Sequence, residues 1–265
     1  MNTGQNENTN KILNNFNSFF GQLSEAFPIK DAYEIYRDKA LAAENPDEAI
    51  EFMKKSVKEA RKYIYDKLFE ENIGKLWSHK DGRPFMECKK HLAQLYKNNG
   101  YVDLCINEYE DLMKLDIEDN LNIKYELAPL FLSEKRYEDF YNLVDRYSAE
   151  GSLFMLYLKA LYYFCQGDNI NSKRFIKQAL EVNLYVAQYM LFIKRDIGFM
   201  NVSRDELIGI KFGEQMMRCW GQVGPALYWL MNEYFSYCSK YGIDTLMSKE
   251  EVEEEIRKFL NSYNI

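Results

Sequence analysis

Between Phe85 and Leu191 one helical-pair pattern recurs three times, with Leu92-Ala93, Leu127-Ala128 and Lys159-Ala160 falling 35 and 32 residues apart. Self-similarity at that period marks a supersecondary unit that cannot bury its apolar face alone. In the first copy Leu92, Ala93, Tyr96, Gly100, Cys105, Tyr109 and Leu112 supply a small residue where two helices touch, a turn glycine and a second apolar stripe. The second copy offers Leu127, Ala128, Phe131, Phe140, Val144 and Tyr147, and the third Ala160, Gly167, Ile176 and Ala179. Stacked copies share one core and leave a concave surface open to a partner. No segment sustains the period-two alternation of a half-buried strand. The pattern predicts an all-α protein built as a right-handed α-solenoid, and it implies binding.

Punctuation divides the chain. Residues 1–10 are polar and read as a disordered start, and residues 11–76 as N-terminal helices with a long helical hairpin. There Ile12, Leu13, Phe16, Phe19, Phe20 and Leu23 recur at helical spacing, and Asp31 to Ala43 forms the next helix. Asn45-Pro46 is a helix start, with a polar cap and proline at the first helical position. The helix it opens is expected to run through Ile50, Met53, Val57, Ala60, Ile64 and Leu68 to Ile73. His79 to Pro84 breaks the chain before the three repeats, 77–191. Leu153 to Cys165, apolar almost all round, reads as a central core helix. Residues 192–265 supply C-terminal helices, with capping boxes at Ser203/Glu206 and Ser248/Glu251. Gly209 and Gly213, four apart, signal a close helix contact. Val252, Ile256, Phe259, Leu260 and Tyr263 form the stripe of a terminal capping helix.

Net charge is −7 and the pI about 5.2, which argues against general affinity for nucleic acid or an anionic membrane. The charge is unevenly spread: residues 53–100 hold 12 Lys/Arg against 6 Asp/Glu, and residues 101–150 hold 5 against 13. Such a gradient reads either as two solvated ends of a dipolar molecule or as a basic face for an acidic partner. Five widely spaced cysteines in apolar helical patterns read as reduced core residues. The N-terminus lacks the regions of a secretory signal and no apolar run spans a bilayer, so the expectation is a soluble, cytoplasmic protein.

Repeat arithmetic places candidate binding residues. With Ala93 as the eighth position of its helix, Glu87, Lys90, Gln94 and Lys97 share the inner face. Asn122, Tyr125 and Leu132 fall beside them in the second copy, and Phe154, Tyr157 and Leu161 in the third. A groove with lysines at one end and aromatics at the other suits a peptide with an acidic group and apolar anchors. Trp77, Arg83, Asp119 and Asn120 form the most distinctive polar set. Either Arg83 presents its guanidinium to a ligand carboxylate, or it ties its loop to the Asp119-Asn120 turn, one of whose residues caps the next helix. A weaker alternative is a hydrolase or metalloprotein built on His79, Asp81, Cys88 and His91. Two histidines in the whole chain, no CxxC and no HExxH argue for no metal, no cofactor and no enzyme. A peptide-sensing regulator is a second alternative, although residues 1–45 are too short and too little basic for a DNA-binding helix-turn-helix.

The run Gly74-Lys75-Leu76-Trp77, then Arg83-Pro84-Phe85-Met86, then Leu115 to Asn120 and Lys124-Tyr125, resembles a tetratricopeptide-like family. That family includes the suppressor of tumorigenicity 7 proteins and their bacterial relatives. The likeness extends through Ala179 to Asn183 and Gly224 to Leu230, covering residues 46–231. Ile117 and Leu184 stand where the family pattern has proline, and Lys135 where it has the turn glycine. The resemblance implies an interaction scaffold with no catalytic residues to carry over, and a structural role for Trp77, Arg83, Pro84, Asp119 and Asn120.

Overall fold

Helices begin where the sequence sets a polar cap before an apolar stripe. Asn45 accepts the N–H groups of Asp47 (2.8 Å) and Glu48 (3.3 Å), and Pro46 takes the first helical position, where a missing N–H is harmless. Both predicted capping boxes form, Ser203 with Glu206 and Ser248 with Glu251. The computed structural model describes residues 31–147, 151–193 and 202–262, which are all-helical apart from one isolated bridge between Lys75 and Asp116. The predicted stripe from Ile12 to Leu23, and Tyr263, lie outside the described residues.

The chain divides into two units, 1–118 and 119–265. The partition falls in the turn after Leu115, inside the span read as one three-repeat array. The first unit holds α1 (Ala32–Ala42), α2 (Pro46–Arg61), α3 (Asp66–Glu71), a 3-10 turn (Leu76–Ser78), α4 (Gly82–Asn98) and α5 (Val102–Leu115). α2 packs against both α1 and α4, and α4 against α5. Met53, Ala60, Leu76, Met86, Ala93, Ile106 and Tyr109 fill the space between them. The long helix expected to reach Ile73 ends instead at Arg61. Arg61 fixes the corner: its guanidinium donates to the Ile64 carbonyl and to Asp66 and lies 4.2 Å from the Phe69 ring centroid, while Ile64 turns inward and is buried.

The second unit holds α6 (Lys124–Ser133), α7 (Tyr137–Arg146), α8 (Leu153–Cys165), α9 (Asn169–Val182), α10 (Leu184–Met190), α11 (Arg204–Gly221), α12 (Ala226–Tyr241) and α13 (Lys249–Ser262). α6 pairs with α7, α8 with α9 and α10 with α11, while α6 also meets α8, and α9 meets α12. The helix read as a core helix, Leu153 to Cys165, is α8, with Phe154, Met155, Tyr157, Leu158, Ala160 and Leu161 buried.

Three helix pairs share one turn. After α4, α6 and α8 the chain passes through Gly100 (φ 79°), Lys135 (φ 56°) and Gly167 (φ 72°). In each case the next residue's N–H returns to a carbonyl five residues back: Tyr101 to Tyr96 (2.9 Å), Arg136 to Phe131 (2.7 Å), Asp168 to Tyr163 (2.9 Å). This left-handed cap satisfies carbonyls that a helix C-terminus leaves open. Lys135 adopts this conformation without being glycine. Ala93, Ala128 and Ala160, seven residues before each turn, are wholly buried. The small residues and the turns therefore recur together.

α11 departs from a plain stack of pairs, since it lies against α6, α8, α10 and α12. Its contact with α10 is close. A Cβ on Gly209 would stand 2.7 Å from the Tyr185 Cβ, and one on Gly213 2.6 Å from a Tyr189 ring carbon. The predicted glycine contact is therefore between helices of the same unit.

Candidate functional site

On α4, residues 87, 90, 94 and 97 follow the i, i+3, i+7 rhythm of one helical face. Glu87 is exposed, and Lys90, Gln94 and Lys97 are half-buried. The neighbouring Lys89 faces the other way. It is buried and ion-paired with Glu108 (2.5 Å) and, more distantly, Asp111 (3.7 Å) on α5. Part of the charge gradient read from the sequence is thereby neutralised inside one helix pair. A basic helix and an acidic helix meet here, a use of charge that local counting does not reveal.

Behind that face, α1, α2 and α4 meet around Cys88. The Ser56 hydroxyl donates to the Tyr33 carbonyl (2.7 Å) and lies 3.2 Å from the Cys88 sulfur. A hydroxyl has one proton, so the thiol is the donor in the second contact. Burial pushes the Cys88 thiol up. An attacking thiolate needs the reverse shift. His91, one turn on, has its Nδ1 buried with no hydrogen-bond partner, and burial followed by the nearby Arg37 lowers its pKa. His79 and the exposed Asp81 sit in the turn before α4, whereas Cys88 lies inside the helix and among α1 and α2. Among the described residues no group of three or more His, Cys, Asp or Glu side chains is placed to hold a metal. None of the five cysteines forms a disulfide; Cys165 is half-buried and the rest are buried.

Arg83 and Asp119, which one of the two readings ties together, fall in different units, and each has partners within its own. The Arg83 Nε donates to the Trp77 carbonyl (2.9 Å), and its guanidinium lies over the Trp77 ring at 5.5 Å. Pro84 falls in the first turn of α4. Asp119 (φ 55°) accepts the N–H groups of Ile123 (2.5 Å) and Lys124 (3.1 Å) and the Lys124 ammonium (3.2 Å). It is thus the residue that caps α6, while Asn120 is exposed in the turn. The Asp119–Lys124 pair is buried on both sides, and burial pushes the Asp119 carboxyl up against the opposing pull of those donors.

The aromatic end of the predicted groove is core. Phe154 is 1% exposed and Tyr157 fully buried, so neither is a surface contact. Phe154 is held edge-on between Tyr125 (5.5 Å) and Phe212 of α11 (5.3 Å). Asn122 (φ 57°) precedes the helix rather than lying on it. Tyr125 remains half-buried, and Leu132 and Leu161 are buried. What covers this face is α11, not the terminal helix. Asn183 fastens it: its carbonyl accepts the Tyr157 hydroxyl (3.2 Å), its Oδ1 caps α10 at Tyr185 (2.9 Å) and its Nδ2 donates to the Asp205 carbonyl (3.0 Å). Asn183 lies in the stretch that carries the family resemblance, but its three-way role has no signal in the sequence.

Among the described residues no helix is long and apolar enough to cross a membrane. Compared with known proteins, the chain matches no family model and no curated protein.

Proposed function

We propose that this chain is a non-enzymatic interaction scaffold of the cytoplasm, a right-handed α-solenoid of tetratricopeptide-like pairs akin to the bacterial relatives of the suppressor of tumorigenicity 7 family. The observation that carries the reading is the common left-handed turn at Gly100, Lys135 and Gly167, each seven residues after a buried alanine. Helix pairs joined in this way expose inner faces that take up protein or peptide segments. With the α8 face covered by α11, the face of α4 bearing Glu87, Lys90, Gln94 and Lys97 is the one assigned to an acidic partner.

Capture from the native host tests this. Charge reversal in Lys90→Glu/Lys97→Glu should weaken retention of the partner by up to about tenfold, since each partly exposed ion pair contributes only ~0.2 to 1 kcal/mol. The loss should shrink as salt rises, with the melting temperature nearly constant. Retention unchanged at low salt moves the site off α4. A second reading, a peptide-sensing regulator, is favoured by α11 itself, because a segment competing for its place would release a helix.

A further inference from the structure

On the second unit, α7, α8 and α9 enclose a cleft of about 160 Å³ that the scaffold reading does not use. Phe140, Tyr141, Tyr162, Tyr163 and Phe175 line it, with Val144, Asp145 and Lys159. The rings form a continuous wall: Tyr162 stacks on Phe140 (5.1 Å), meets Tyr163 edge-on (5.1 Å), and Tyr163 stacks on Phe175 (5.4 Å). Tyr141 and Asp145, both exposed, stand at the mouth. A dry cavity of ~150 Å³ accommodates benzene, so one six-membered ring fits this volume.

The cleft's lining carries one cation, Lys159, and one carboxylate, Asp145, in unlike settings. The half-buried Lys159 has no carboxylate within 4.0 Å among the described residues; its ammonium lies over the Phe175 ring at 5.5 Å. The Arg174 guanidinium lies over the same ring at 4.5 Å. Burial, and then the Arg174 charge, lower the Lys159 pKa. An ammonium held partly out of water beside a second cation is stabilised by an anion. Five rings and Asp145 alone would suit a quaternary ammonium. Asp145 is exposed to water, however, whereas Lys159 is half-buried with no carboxylate within 4.0 Å among the described residues, so the ammonium is the charge that a ligand would satisfy.

We propose that the α7–α8–α9 cleft binds a small aromatic carboxylate, its ring against the Tyr162, Tyr163 and Phe175 wall and its carboxylate on Lys159. The inference does not rest on the scaffold reading, since the cleft is built by other residues than the α4 face.

Calorimetric titration of the full chain with phenylacetate, phenylacetamide and tetramethylammonium decides it. Saturable one-to-one binding of phenylacetate at millimolar concentration or below is expected, with the neutral amide at least about tenfold weaker, as loss of a charge-assisted contact implies. Lys159→Met should weaken phenylacetate by a similar factor and leave the amide unchanged. No saturable phenylacetate binding, equal binding of acid and amide, or preference for tetramethylammonium overturns the proposal. The acid–amide comparison uses the unaltered protein, so it holds even if Lys159→Met fails to fold.

Discussion

Positions that repeat arithmetic makes equivalent meet opposite fates in the two units. Glu87 on α4 and Phe154 on α8 occupy the same place in their repeats, as do Lys90 and Tyr157. The first of each pair is exposed or half-buried, while the second is core. Charged side chains resist burial unless paired, so a face that carries them stays at least partly wet. A face of Phe, Tyr and Leu instead loses free energy by drawing the chain's own α11 across it. A repeat pattern therefore fixes which residues share a face, and the chemistry of that face decides whether the molecule keeps it covered.

The sharpest test of this contrast is truncation at the equivalent pair. Phe154→Ala should lower stability by about 3 to 5 kcal/mol, because it removes a ring held between Tyr125 and Phe212. Glu87→Ala should change it by no more than ~0.5 kcal/mol. Denaturant melts of both variants give the comparison; similar values for the two would mean that α11 does not cover α8 in solution.

A wedge under the cover comes next. Gly209→Ala should cost roughly 1 to 3 kcal/mol even after the helix-propensity gain of alanine, since the new methyl meets Tyr185 backbone at 2.8 Å. Gly224→Ala, with open space around it, is the control that should leave the midpoint in place. If both substitutions behave alike, the helix contact is looser than described.

Enlarging the repeat alanines asks whether the two units are alike beneath their different faces. Ala93→Leu in the first and Ala128→Leu in the second should each destabilise by about 1 to 3 kcal/mol, both sites being fully buried. Unchanged midpoints for both would break the equivalence of the pairs.

The smallest effect is a pH dependence confined to the first unit. His91 has a folded pKa below its ordinary 6.5, so the unfolded chain binds its proton more readily. Its contribution is intact above pH 6.5 and is lost as pH falls through that value toward the folded pKa. His91→Gln should flatten stability between neutral and mildly acidic pH relative to the unaltered chain. Parallel pH profiles for the two proteins would show that His91 takes up its proton freely.

Much of this architecture is legible in the sequence because its determinants are local. Asn45-Pro46, the two capping boxes and the turns at Gly100 and Gly167 act within a few residues of themselves, and each forms as read. The corner after Arg61 was not legible, because no glycine or proline marks it and a guanidinium folded onto Phe69 holds it. The candidate site suffered more. Whether Tyr157 lies in a groove or in a core depends on a helix that begins some fifty residues later, and Lys89 reads as surface charge until α5 brings Glu108 to it. The sequence leaves the cap of α6 open between Asp119 and Asn120, because the choice depends on which side chain the turn folds back onto the Ile123 and Lys124 N–H groups.

The glycine pair of α11 has a consequence for the face it covers. Successive helical residues are turned by about 100°. With Gly209 and Gly213 seated on Tyr185 and Tyr189, the azimuth of every other side chain on α11 is fixed, and Phe212 is delivered to Phe154. The two notches work as a keyway: they admit the helix at one rotation only. The seal over α8 is thus indexed from its far side, at α10, by residues that never touch the surface they protect.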